Sequence, residues 1–135
     1  MYIRNTPENM EKARKTLLDW SYGREISKAE WEFLGAYVMM LSTWTVRKWY
    51  PRKSYDERAD ALFAAYVKIF DRKIFNRAIA IEGYNANQCA SLICWLAGHA
   101  AGDFFRHRDP KPDMDFGRVT AEISRSECAA PVENN

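Results

Sequence analysis

Histidine, cysteine, proline and glycine are all scarce in this chain: two, three, five and six residues among 135. Each scarcity excludes something. The two histidines and three cysteines fall into neither an HExxH helix nor a Cys–His zinc spacing. An odd cysteine count without framework spacing argues against a disulfide scaffold and for a reduced, cytoplasmic setting. Between residues 24 and 105 glycine and proline are thinly spread, and no strict apolar–polar alternation occurs before residue 117. That removes a sheet and leaves an all-α pattern. Charge of one sign is also lacking. Twenty Lys and Arg against eighteen Asp and Glu leave +2, too little to imply nucleic acid or an anionic membrane from net charge alone. The N-terminus has no apolar core of the signal-peptide kind, so none is expected. The longest apolar run, "CASLICWLAGHAAGDFF", is short for a bilayer and carries His99 and Asp103. It reads as a buried helix. "DFG" at 115–117 lacks the Gly-rich and catalytic loops of a kinase, and the chain is too short for one.

Aromatic residues, by contrast, are plentiful at 14%, with five Trp, seven Tyr and seven Phe. Such side chains bury much area each and are enriched at interfaces. Their spacing, with that of the aliphatics, is helical. "TPE" opens a first helix with Thr6 as cap and Pro7 in the first turn, and Gly23 is a stop. Met10, Ala13, Leu17 and Trp20 form its inner stripe. "SKAE" at 27–30 is a capping box flanked by Ile26 and Trp31 in staple positions. The helix it opens should run to about Tyr50, because Pro51 disfavours helical backbone before it. Leu34, Tyr37, Val38, Leu41 and Trp44 share its inner face, widened by Phe33 and Met40. "SYDE" at 54–57 is a second capping box, and Ala59, Leu62, Tyr66, Ile69 and Phe70 make the next inner face. Lys73 and Arg77 then fall where that face should continue, which predicts a kink or break near Asp71. Solvation of both cations after a break, snorkelling, and pairing with a carboxylate are the competing readings.

"EGYNANQ" is a turn in which Asn85 or Asn87 caps a last helix of about 86–107. That helix is apolar nearly all round, the mark of a central position. One side carries Cys89, Leu92, Ile93, Leu96, Ala100 and Phe104. The other carries Cys94, Gly98 and Gly102, whose small size invites a second helix to approach. The expected fold is an all-α, single-domain bundle of four to five helices over 1–125, with that helix in the middle. An irregular C-terminal region follows, with 126–135 a disordered tail.

Two constellations bear on function. His99, Asp103 and His107 stand four apart, as metal ligands or an acid–base pair would. Eight residues from His99 to His107 give roughly 12 Å of rise and 80° of turn, so one ion cannot take both on a straight helix. Further ligands would have to come from other helices, where no Glu-x-x-His repeat exists. Asp103 has a plainer use, pairing with Arg106 or His107 one turn on. Cys89 and Cys94, five apart, point about 140° from each other and suit buried apolar roles. Cys128 is a free thiol in the tail. The second constellation is "RKWYPRKSYDER" at 47–58, with five basic and two acidic residues among its aromatics. Such a stretch can hold phosphates and stack bases, or simply close a helix.

The leading expectation is a non-enzymatic helical module that binds a protein partner as adaptor, regulator or inhibitor. Its contact residues would be Arg47, Lys48, Trp49, Tyr50, Arg52, Lys53, Lys73, Arg77, Gly98 and Gly102. A homodimer through the glycine face fits the same pattern, and no cofactor or membrane is expected. The plainness of the chain also matches inhibitors encoded by mobile elements, a likeness of type that no residue carries. The alternatives are a nucleic-acid binder using Arg47, Lys48, Arg52 and Lys53, and a metal-dependent enzyme using His99 and Asp103.

Overall fold

The computed structural model describes residues 3–70, 82–106 and 132. Asp71, Lys73, Arg77, His107 and Cys128 lie outside them, as does nearly all of the expected tail. Among the described residues there are four helices and no strand: α1 (Pro7–Ser21), α2 (Lys28–Trp49), α3 (Tyr55–Ile69) and α4 (Ala86–Phe105). The chain is all-α.

Each helix begins where local side-chain chemistry satisfies its free N–H groups. The Thr6 hydroxyl accepts from the Asn9 N–H, with Pro7 following it. Ser27 with Glu30, Ser54 with Glu57, and Asn85 with Gln88 form three reciprocal capping boxes. The endings are as specific. Gly23 has φ of +73°, the left-handed region where a Cβ is strained. The Gly23 N–H donates to Trp20 O and the Arg24 N–H to Asp19 O, a Schellman closure of α1. The Arg24 guanidinium returns to the Asp19 carboxylate at 2.9 Å. Tyr50 caps α2 immediately before Pro51, as expected.

α4 packs against all three other helices, and most extensively against α3. Leu17 from α1, Leu34, Tyr37, Val38 and Leu41 from α2, and Ile69 from α3 meet Leu92, Ile93, Cys94 and Leu96 in one core. Tyr37 is buried there, and its hydroxyl donates to Asn5 Oδ1 at 2.7 Å. The Arg14 Nε–H donates to Tyr84 O, holding the entry to α4 against α1.

Three expected faces differ in detail. On α3 the buried line is Ala61, Ala65 and Ile69; Leu62, Tyr66 and Phe70 flank it half-buried, and Ala59 is exposed. Small alanines let α4 come close, so the face is centred on them rather than on the largest apolar groups. Trp31 is 44% exposed and sets its ring against Trp20 and Phe70. α4 is buried on most of its circumference but not all. Trp95, His99, Asp103 and Arg106 form one line that is partly or fully exposed. Phe104, expected on the inner side, is exposed as well.

Two outcomes follow. Gly23→Ala should cost about 1 kcal/mol in urea unfolding, although no atom lies within 4 Å of the added methyl group. Burial pushes the Tyr37 phenol well above its ordinary pKa of 10.0. A raised folded-state value means its contribution is complete below pH 10 and is lost as pH climbs toward the folded value. Tyr37→Phe should therefore lower stability at neutral pH by about 1 kcal/mol and flatten the alkaline decline above pH ~10.

Candidate functional site

The end of α2 packs against the C-terminal half of α4, and two glycines make this possible. A Cβ on Gly98 would overlap the six-membered ring of Trp49, and one on Gly102 would crowd the Tyr50 hydroxyl. Both glycines are buried. The Tyr50 hydroxyl donates to Gly98 O at 2.8 Å, and its ring meets Phe105 edge-on at 4.9 Å. Burial raises the Tyr50 pKa, with Arg106 opposing and Asp103 adding to the shift. The phenol thus stays a protonated donor at neutral pH. The close approach expected at Gly98 and Gly102 exists, but this chain's own Trp49 and Tyr50 make it. The glycine side is therefore not an open surface for a second helix, because its space is filled.

Around this junction rings and cations gather on the outside. Trp49 meets His99 edge-on at 5.6 Å, and the Trp95 and His99 ring centroids are 4.1 Å apart. Lys48 Nζ sits 4.7 Å over the Trp44 ring, and Lys53 Nζ 4.9 Å over Phe105. Arg47, Lys48 and Arg52 are exposed, whereas Trp49, Tyr50 and Lys53 are half-buried. Of the expected contact residues, then, Trp49 and Tyr50 meet the two glycines, and Lys53 reaches Phe105 beside Tyr50. His99 and Trp95 join Trp49, whereas Lys48 pairs with Trp44 on α2 itself.

The extra members carry a readable signal. Trp44 with Lys48 and Trp95 with His99 are both four apart, the spacing of neighbours on one helix face. Only the metal or acid–base alternative joined His99 to Asp103, four residues the other way. Asp103 instead accepts from Arg106 Nη2 at 2.8 Å, the plainer of its two expected uses. His99 is exposed rather than part of a packed face. Among the described residues no group of three or more His, Cys, Asp or Glu is arranged to hold a metal ion.

Cys89 and Cys94 are buried thiols outside any disulfide. Burial pushes the Cys89 thiol up to about 12, the setting of an inert side chain. Among the described residues no helix is long and apolar enough to cross a membrane. No family model, curated protein or solved structure matches the chain.

The glycine seat has a direct test. Gly98→Ala should destabilise the fold by about 1–3 kcal/mol through overpacking against Trp49. In a Trp49→Ala background the same change should cost clearly less. A double-mutant cycle in urea measures that coupling.

Proposed function

We propose that this chain is a non-enzymatic helical binding module, acting as adaptor, regulator or inhibitor of a protein partner. The observation that carries the reading is the face formed where α2 crosses α4. Arg47 and Lys48 stand exposed near the end of α2, with Lys48 over the Trp44 ring, and Trp49 meets His99, which also meets Trp95. Aromatic and arginine side chains held on a rigid frame are the usual anchors of protein interfaces. The cations on this face favour an acidic surface on the partner. A reduced, cytoplasmic setting accords with two buried thiols outside any disulfide.

The same basic residues supported a nucleic-acid reading. Exposure of Arg47, Lys48 and Arg52 favours it. Base stacking needs open ring faces, however. Trp49 is seated over Gly98, Tyr50 is bonded to Gly98 O beside Gly102, and Lys53 lies over Phe105. These commitments favour a protein partner.

Affinity capture from host lysate compares the parent chain with the Arg47→Gln, Lys48→Gln, His99→Ala variant. The variant should retain its helical melting and lose about tenfold or more in affinity for the captured protein. Capture abolished by nuclease supports the nucleic-acid reading instead. Equal capture by parent and variant rules out this face.

A further inference from the structure

α2 carries no charged residue from Phe33 to Val46, although only part of that stretch is buried. Leu34, Val38, Leu41 and Thr45 mark its core side. At about 100° per residue, Glu32, Ala36, Met39, Met40, Thr43 and Arg47 all fall within about 50° of the opposite direction. Glu32 and Arg47 are exposed, and the four residues between them are half-buried. Met40, expected to widen the inner face, thus lies on the outer one and is only partly buried against the core. An outward helix face normally carries polar and charged groups along its length. Here charge stands only at the two ends of the stripe, negative at the start and positive at the finish.

That order says what fits it. A two-fold axis across an antiparallel pair of helices reverses one sequence against the other. With the axis between Met39 and Met40, Ala36 faces the partner's Thr43, and each methionine meets its own counterpart. Glu32 comes level with the partner's Arg47, and Arg47 with the partner's Glu32. Both charged residues lie about 30° from the centre of the stripe, so their long side chains reach across the seam. Alanine and threonine are small enough to let the helices approach, and methionine adapts to the space between them. The Thr43 hydroxyl donates to Met39 O, so its proton is already satisfied. Within its own chain Glu32 lies 4.0 Å from Lys28 with both side chains well exposed, a weak pair that leaves the carboxylate available.

We propose that the outer face of α2 is a self-complementary interface at which two copies of this chain pair antiparallel. The stripe of one helix of 22 residues offers less than the ~800 Å² per partner of a standard stable interface. The dimer is therefore weak and concentration-dependent. Arg47 serves both this face and the α2–α4 junction, whereas Glu32 lies roughly 22 Å away along α2. Changing both ends together therefore separates the two assignments.

Sedimentation of the full chain from low micromolar to near-millimolar concentration tests the pairing. The parent should pass from monomer to dimer. Glu32→Lys and Arg47→Glu, both at exposed positions, should each keep the melting temperature and weaken dimerisation about tenfold. The double variant should recover the parent's dimerisation, because each pair re-forms with its signs exchanged. Its capture of a partner through the junction should stay weak, since Arg47 is still absent, so either reading can fail without the other. A chain that stays monomeric at every concentration overturns the proposal. So does a dimer indifferent to both single changes, or a double variant no tighter than either one. Weakened dimerisation that tracks a lowered melting temperature also overturns it, because the charges would then act within one chain.

Discussion

The seating of Trp49 and Tyr50 over two glycines of α4 is the contact on which the outer face of this protein depends. A helix normally keeps its neighbour at a distance set by side chains on both sides. At Gly98 and Gly102 one of those contributions is missing, and aromatic groups from the end of α2 fill the gap. The Tyr50 hydroxyl ties the junction to backbone through Gly98 O. Once α2 ends there, Pro51 and the Ser54 cap turn the chain into α3. α3 then packs on α4 through Ala61, Ala65 and Ile69, leaving the Trp95–His99–Asp103 line open.

Close packing beneath and ring-and-cation chemistry above are parts of one arrangement. Trp49 covers Gly98 and also meets His99. Tyr50 bonds Gly98 and also meets Phe105, over which Lys53 lies. The groups offered to solvent are thus positioned by residues whose other sides are committed to the core. Such support limits the rotamers available to the exposed groups, and less order has to be imposed when a partner arrives.

Helix starts were the most legible feature of the sequence, because a cap is written within four residues and needs no tertiary partner. Thr6, Ser27 and Ser54 cap as their neighbours foretold, and of the two asparagines offered for α4 it is Asn85 that caps. Faces were less legible. Periodicity weights large apolar groups, so Leu62, Tyr66 and Phe70 drew the expected face of α3 away from Ala61 and Ala65. Close approach at Gly98 and Gly102 was legible from their size and spacing. What approaches was not, since nothing in α4 distinguishes a helix from a tryptophan fifty residues earlier. His99 has a ring four residues before it and a carboxylate four after, and spacing alone does not choose between them. The fold divided the two neighbours, leaving Trp95 to His99 and Asp103 to Arg106.

The reciprocal cap of Asn85 and Gln88 has a reach beyond the helix end it closes. It sets the phase of everything that follows on α4. A start displaced by one residue would rotate the helix by about 100°. Gly98 would leave its place beneath Trp49, and a histidine or an alanine would arrive there. Two side chains thirteen and ten positions before Gly98 therefore act as an index mark. They decide which residues of α4 the rest of the molecule touches and which it shows.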